Sequence, residues 1–311
     1  MEVLWGLEHL RHDGRPVYLA LGMFDGVHPG HQEVLTRTRE AAAASSGRSV
    51  VLTFDPHPQR VIAPPPEPIL LTTIEERLAL FESLGMGAAV VIRFDEQLRE
   101  TSADRWIEML ADIEGLSGVF ASSDYTFGRD RGGTVERLRA GGERLAFAVT
   151  IIPPVHVLGT LVSSTLIRRL VRMGQVEEAT VFLGRPYGVS GHVVEGERRG
   201  RTLGFPTANL SVHPDKILPA KGIYAAWARL EGRENPAAVS IGTRPTFGQG
   251  TLLVEAHLLD FDGDLYGQNA ELLFVVRLRD EMAFRTVPEL VQQMERDVAK
   301  AREVLGRFRA G

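Results

Sequence analysis

Two rhythms of apolar and polar positions divide this chain. As far as about residue 183, short continuously apolar runs alternate with amphipathic stretches; the runs are VYLAL (17–21), SVVLTF (49–54), AAVVIRF (88–94), SGVFA (117–121) and FAVTII (147–152). Apolar runs without polar alternation predict strands covered on both faces. The stretches between them predict helices. TIEERLALFESLG sets Thr73 and Glu76 at capping-box spacing and stops at Gly85, SADRWIEMLADI opens on Ser102, and SSTLIRRLVRMGQVEEATVFLG ends the first rhythm. Strands alternating with helices imply right-handed crossovers and a doubly wound parallel sheet, an α/β architecture. The triple proline of VIAPPPEPILLTT can extend neither kind of element and reads as a surface loop.

From about residue 184 the helical period disappears and glycine turns crowd in. YGVSGHVVEG, IYAAWARLEG, AAVSIG, LLVEAHLLDFDGDLYG and AELLFVVRLRD read as antiparallel strands, with DFDGDLYG as a hairpin connection. Closure into a β-barrel removes their exposed edges. A final amphipathic helix, VPELVQQMERDVAKAREVLGRF, has an apolar stripe to lay on that barrel. Two unlike domains are therefore expected, residues 1–183 and 184–311, and the 311 residues give each enough chain for its own core.

Composition removes several classes of function. With no cysteine there is no disulfide, thiolate metal site or thiol nucleophile. A net charge of −5 argues against nucleic acid as the main partner, because backbone binding needs a broad basic surface. Local basic clusters still suit small anions. No window reaches the roughly 20 uninterrupted apolar residues of a membrane span, and MEVLWGLEHLRHDG lacks the basic-then-apolar pattern of a leader. The expectation is a cytoplasmic protein acting on small molecules, without a membrane partner.

The sharpest motif is GMFDGVHPGH (22–31), set between VYLAL and the helical QEVLTRTREAAAA. It occupies the first strand-to-helix crossing of a parallel sheet. Ligands of such sheets bind outside the carboxyl ends of the strands, and a helix N-terminus offers unpaired N–H groups to phosphate. Gly22, Gly26 and Gly30 let the backbone approach closely, and His28 and His31 can donate hydrogen bonds to phosphate oxygens. Two other uses of the histidine pair stay open. They could share a metal ion, for which no thiol and no H-E-x-x-H helix supplies a third ligand, or they could satisfy the turn's own hydrogen bonds. SSTLIRR, beginning at Ser163, offers hydroxyls and guanidinium groups to phosphate, or simply an N-cap.

In the second half, GHVVEGERRGRTLGFPTANL runs a glycine- and arginine-rich loop into Pro206-Thr207-Ala208-Asn209. Backbone N–H groups around Gly196, Gly200 and Gly204 could cradle phosphates, and Thr207 and Asn209 carry hard oxygens suited to magnesium. Alternation puts those two on one strand face. Read alone, the same four residues are simply the start of a strand. No G-x-x-x-x-G-K-[ST] phosphate loop and no protein-kinase signature occurs in this half. Glu255 in LLVEAHLL is a carboxylate among apolar residues, with Val254 and Ala256 on the opposite face. It reads either as an outward-facing barrel glutamate or as a base whose proton affinity burial would raise.

These segments together carry a family resemblance. GMFDGVHPGH is similar to the H-x-G-H signature of nucleotidylyltransferases, and its longer form G-x-F-D-G-V-H-x-G-H resembles the adenylyltransferase half of bacterial bifunctional riboflavin kinase/FAD synthetases. LTFDPHP (52–58), DYTFGRDRGG (124–133) and SSTLIRRL (163–170) follow in the same order. LGRPYGVSGHVVEGERRGRTLGFPTANL, VEAHLLDFDGDLYG and LRDEMAF resemble the riboflavin kinase half, so the resemblance covers nearly the whole chain. It implies a Rossmann-like nucleotidylyltransferase domain followed by an antiparallel β-barrel kinase domain with a terminal helix. It also implies that ATP phosphorylates riboflavin to FMN in the second domain, with Mg2+ as cofactor. A second ATP then adenylylates FMN to FAD in the first, releasing pyrophosphate.

The resemblance assigns roles as well. In the first domain, Gly22, Phe24, Asp25, Gly26, Gly30, Asp124, Arg131, Ser163, Ser164, Thr165 and Arg168 would meet ATP, with Arg168 reaching the β- and γ-phosphates. His28 and His31 would stabilise the transferring phosphate. Phe54, Pro56, His57, Pro58 and Phe127 would form the flavin side, although Phe54 and Phe127, judged singly, read as core. In the second domain, Gly191, Gly196, Arg199, Gly200, Gly204, Thr207 and Asn209 would hold nucleotide, the last two also the metal. Glu255 would be the general base for the riboflavin hydroxyl. Arg279, Asp280 and Glu281 would hydrogen-bond ring or ribityl groups, with Phe284 packing on the flavin; a charged strand end is the competing reading. Two positions depart from the family pattern: Ser122 stands where glycine is usual, and Leu166 where a basic residue is common. One working domain beside a flavin-binding module, or a flavin carrier without turnover, are the alternatives.

Overall fold

Each apolar run of the first half forms a strand and one more precedes them, but the FAVTII run, expected to be covered on both faces, is an edge strand with Ala148 and Thr150 exposed. The strands are β1 (Glu2–Trp5), β2 (Val17–Leu21), β3 (Arg48–Asp55), β4 (Ala88–Arg93), β5 (Leu116–Ser122) and β6 (Ala148–Ile152). In this computed structural model, which describes residues 1–63, 69–195, 204–243, 252–263 and 265–308, they pair in parallel in the order β1-β4-β3-β2-β5-β6. The helices between them are α1 (Pro29–Ala44), α2 (Pro58–Ile62), α3 (Ile74–Ser83), α4 (Glu96–Arg99), α5 (Ala103–Ala111) and α6 (Val135–Leu145). Val34 and Leu35 of α1 and Phe81 of α3 pack with Ala20, Val51 and Ala89 on one face of the sheet. Trp106, Ile107 and Leu110 of α5 and Leu138 of α6 pack with Leu19, Leu52 and Val90 on the other. The sheet is thus doubly wound, and each such buried aliphatic contributes roughly 1.5–3 kcal/mol.

The strand order sets the position of the site. The chain adds β3 and β4 on one side of β2, then returns to add β5 on the other, so the winding reverses at β2. Crevices outside the carboxyl ends of strands at such a reversal are where ligands of open parallel sheets bind. Helix starts are fixed as their sequences predict. Thr73 and Glu76 make a complete capping box on α3, and Ser102 accepts from the Arg105 N–H at the start of α5. β1 has only Val3-Leu4-Trp5 to announce it, a run too short to read as a strand, and as an edge strand it leaves Val3 and Trp5 exposed. The triple-proline loop lies outside the described residues. A two-residue hairpin, β7 (His156–Val157) and β8 (Thr160–Leu161), closes the unit that spans Met1–Ser164.

The second compact unit spans Thr165–Gly311. The helical stretch after Ser163 is two helices, α7 (Ser164–Arg172) and α8 (Val176–Leu183), broken at Gly174. Gly174 has φ +75, and a Cβ there would lie 2.8 Å from the Tyr224 hydroxyl, so both backbone and space require glycine. The division into compact units thus falls at 164/165 rather than at the 183/184 expected from the change of rhythm, which is where α8 ends. β9 (Tyr187–Val194), β10 (Ala208–Val212), β11 (Gly222–Leu230), β12 (Arg233–Thr243), β13 (Leu252–Leu258) and β14 (Asn269–Arg279) then close an antiparallel barrel in the order β10-β13-β12-β11-β14-β9. Val189, Tyr224, Val239, Val254, Leu272 and Phe274 are among its buried residues. Helix α9 (Val287–Phe308) covers part of the barrel, setting Ala301 and Leu305 against Ala225, Trp227, Ala238 and Val275.

Candidate functional site

The turn after β2 is built by its own residues. Asp25 is buried and its carboxylate accepts from the Leu71 N–H (3.1 Å), the Thr72 N–H (2.9 Å) and the Thr72 hydroxyl (3.1 Å). Gly26 donates its N–H to Thr72 Oγ1 (2.9 Å), and the Ser164 hydroxyl donates to the Asp25 carbonyl (2.9 Å). The structure therefore gives Asp25 the work of shaping the turn. His28 is the N-cap of α1, its Nδ1 accepting from the His31 N–H at 3.4 Å, and the two imidazoles stack with centroids 3.6 Å apart. Gly30 lies beneath that stack; a Cβ would come 3.2 Å from the His28 ring. Phe24 is buried and meets His31 edge-on, with centroids 5.4 Å apart. The histidine pair is thus fixed at a helix N-terminus, where unpaired N–H groups and the dipole favour an anion.

Three of the sequence motifs converge on one cavity of about 860 Å³ at the carboxyl ends of β2, β3 and β5. From the first come Gly22, Phe24 and His31; from the second Phe54, His57 and Pro58; from the third Asp124, Phe127 and Arg131. Ser122, the position departing from the family pattern, is in the wall as well. His57 caps α2 by accepting from the Gln59 N–H (3.1 Å). Tyr125 stacks on Phe127 at 5.5 Å between centroids, and burial pushes its phenol pKa up. Phe127 belongs both to the core and to the cavity wall, so the two readings of it are compatible. Phe94, Arg99 and Trp106 also line the cavity, and sequence reasoning missed them. Trp106 sits on the buried stripe of α5, where it resembles any other core residue.

One more residue escaped the sequence. Arg77 on α3 is 0 % exposed, and its guanidinium donates to carbonyl and hydroxyl oxygens of both the β2 and β3 ends. Its only signal was a charged residue on the apolar face of an amphipathic helix.

In the second unit, Asn209 of β10 and Glu255 of β13 are direct cross-strand partners, and Glu255 also faces Ser240 of β12. Val254 and Ala256 are buried and Glu255 is half-exposed, so the glutamate stands on the outer face of the barrel. Asn209 is 8 % exposed and its Oδ1 has no hydrogen-bond partner among the described residues. Thr207 precedes β10, which starts at Ala208, so strand alternation does not govern it. The backbone there is held instead by His257, whose Nδ1 lies 2.8 Å from the Pro206 carbonyl, with Phe205 edge-on to the ring. Gly191 is a packing residue between strands, since a Cβ would come 2.5 Å from the Ser211 carbonyl. Gly204 is left-handed at φ +87, and no described residue crowds the place its Cβ would take. Gly196, Arg199 and Gly200 lie outside the described residues.

The LRDEMAF segment divides its tasks. Arg279 grips Asp297 of α9 through Nε (2.9 Å) and Nη2 (2.5 Å) and donates Nη1 to the Asp280 carbonyl (2.8 Å). The structure gives it a bracing role. Asp280 is exposed and pairs with Arg277 at 2.9 Å; the Glu281 carboxylate lies against Gly242 of β12, where a Cβ would clash with it; Phe284 is half-exposed. In the first unit, Pro56 lies in the loop between β3 and α2, while Ser163 directly precedes α7. Thr165 and Arg168 belong to α7 in the second unit.

Comparison with known proteins agrees across both units. A family model described as FAD synthetase matches residues 10–166, and one described as riboflavin kinase matches residues 183–305. A bifunctional riboflavin kinase/FMN adenylyltransferase of Listeria monocytogenes is 36% identical over 281 residues, covering 90% of this chain and 89% of that protein. One from Pseudomonas fluorescens is 34% identical over 304 residues, 97% of each. A Streptococcus pneumoniae crystal structure described as a macrolide-efflux protein is similar in fold, with TM-score 0.87 and 30% identity, over 97% of this chain and 99% of that one. Among the described residues of this chain, no helix is long and apolar enough to cross a membrane.

Proposed function

The chain belongs to the bifunctional riboflavin kinase/FMN adenylyltransferase family, and on that basis we propose that each unit houses one of its two ATP-dependent transfers. The protein is a transferase that makes FAD from riboflavin by way of FMN. The cavity at the ends of β2, β3 and β5 is the adenylylation site. Convergence of three separate motifs on that one space carries this assignment.

There an oxygen of the FMN phosphate attacks the α-phosphorus of ATP, the bond to the β-phosphate oxygen breaks, and pyrophosphate leaves. The nucleophile is already anionic, so catalysis consists of positioning and of neutralising charge that passes to pyrophosphate. His28 and His31, stacked at the α1 N-terminus, present imidazole for that purpose, His31 from the cavity wall and His28 from the helix cap behind it. Phe54, His57, Pro58 and Phe127 form the flavin side.

Riboflavin phosphorylation has a neutral alcohol as nucleophile and needs a base. Glu255 takes the proton of the ribityl hydroxyl as its oxygen attacks the γ-phosphorus and ADP leaves. Thr207 and Asn209 fit Mg2+: the buried Asn209 Oδ1 is a hard oxygen whose hydrogen-bonding capacity no described residue uses, one strand from Glu255. Bound there, the ion would neutralise phosphate charge. Asp280, Glu281 and Phe284 supply the flavin end.

The test is to incubate the protein with riboflavin, ATP and Mg2+ and to separate the flavins by chromatography. FMN and FAD both form. FMN without FAD would remove the adenylylation site, and the absence of both would overturn the reading.

A further inference from the structure

The buried cation under the cavity has no role in the chemistry so far. Arg77 sends Nη1 to the Met23 carbonyl (2.9 Å), Thr53 Oγ1 (2.9 Å) and the Phe54 carbonyl (3.2 Å), and Nη2 to the Phe54 carbonyl (3.3 Å). The Thr53 hydroxyl in turn donates to the Met23 carbonyl at 2.9 Å. Met23 belongs to the turn that carries the histidines, and Thr53 and Phe54 to the end of β3, which leads into the flavin-side loop.

Packing alone does not account for an arginine here. A methionine or leucine would fill the same position without the cost of desolvating a charge. Burial pulls the guanidinium pKa down against the opposing influence of Asp25, Asp55 and Glu75. Its ion pair with Asp55 is long at 3.9 Å. The group is held chiefly by carbonyl and hydroxyl oxygens, the arrangement of a rigid fork used as a brace.

Each loop also has anchors of its own. The turn is fastened to residues 71 and 72 through Asp25, and the β3 loop runs into α2, capped by His57. Those anchors act on each loop separately, and the direct tie between them, the β2–β3 ladder with the Gly22 N–H to Leu52 carbonyl bond (3.3 Å), runs only as far as Leu52. Arg77 and Thr53 span the two.

We propose that Arg77, with Thr53, is a positioning residue for FMN adenylylation that sets the nucleotide-side turn at a fixed distance from the flavin-side loop, and so aligns the FMN phosphate with the α-phosphorus. The inference rests on the assignment of this cavity to adenylylation. A near-attack geometry needs reacting atoms roughly 3–3.5 Å apart, and a misplacement of about 1 Å costs on the order of a hundredfold in rate. Loss of the brace therefore acts on turnover, while each loop still binds its own substrate.

Arg77→Lys keeps the charge and removes the fork; Thr53→Val removes only the shared hydroxyl. FAD formation from FMN and ATP is measured at steady state for both, with riboflavin phosphorylation followed in the same preparations. Arg77→Lys is expected to lower kcat about tenfold to a hundredfold with both KM values within about threefold of wild type, and to leave riboflavin phosphorylation unchanged. Thr53→Val gives a smaller kcat loss of the same kind, and the double variant loses less than the product of the two. Wild-type kcat in Arg77→Lys, or a rise in one KM alone at unchanged kcat, overturns the proposal. If Arg77→Lys fails to accumulate as folded protein, Thr53→Val decides by the same criteria. Failure of the wild-type protein to make FAD from FMN and ATP is a different result and removes the cavity assignment itself.

Discussion

His28 and His31 differ in how the structure holds them, although the motif presents them as a pair. His28 caps α1 and is nearly buried, while His31 lines the cavity and stacks on it. Replacing both, His28→Ala with His31→Ala, should lower FAD formation by about a hundredfold or more, the scale of losing donors at a developing charge. FMN formation measured in the same sample stays at wild-type rate. Retained adenylylation would refute their assignment. Glu255→Gln should abolish most FMN formation, by about 10²–10⁴-fold for loss of a general base, and preserve FAD synthesis from supplied FMN; unchanged phosphorylation would exclude a base at that position. Side-chain placement was legible in the sequence where a short motif fixes the backbone, as in GMFDGVHPGH, which lies at the α1 N-terminus and in the cavity wall. It was not legible where tertiary contact decides. Nothing local distinguishes Asp25, committed to Leu71 and Thr72, from a carboxylate facing a ligand, nor Arg279, committed to Asp297, from a flavin donor. Arg77 shows the same limit in reverse, since its partners are carbonyls that no sequence pattern records.

Among the elements, strands covered on both faces were readable because burial forces continuous apolar runs, and helix starts because capping residues are local. β1 and the break between α7 and α8 were not. The first is a short edge strand with three of its four residues exposed, and the second depends on Gly174 meeting Tyr224 from another part of the chain. Helix α9 gives an element-scale prediction. Its Asp297 is nearly buried and bonds Arg279, Gln293 and, through Arg279, the start of the 280–284 segment. Asp297→Ala should destabilise the second unit by about 2–3 kcal/mol, the scale of hydrogen bonds to a charged group, as read from urea unfolding. It should also raise KM for riboflavin while KM for ATP holds. An unchanged riboflavin KM would separate the brace from the flavin end.

At the scale of the molecule, the change of rhythm near residue 184 announced two kinds of architecture, and most of the groups assigned to each transfer fall in one unit, Thr165 and Arg168 being exceptions. The cavity draws only on residues of the first unit, and the Asn209–Glu255 pair only on the second. Each unit has its own buried core, so a substitution that silences one site need not disturb the other. FMN is at once the product of the second unit and the substrate of the first. If it leaves the barrel into solution, two silenced proteins should complement one another. Glu255→Gln protein should make FAD only from supplied FMN, and the His28→Ala with His31→Ala protein should stop at FMN. Neither alone should convert riboflavin to FAD. Mixed with riboflavin, ATP and Mg2+, they should produce FAD after a lag during which FMN accumulates, at a rate that follows the FMN concentration in solution. If FMN instead stays with the chain that made it, the mixture should hold FMN at no more than one per His28→Ala with His31→Ala chain and form no FAD, although the Glu255→Gln protein in it still adenylylates added FMN.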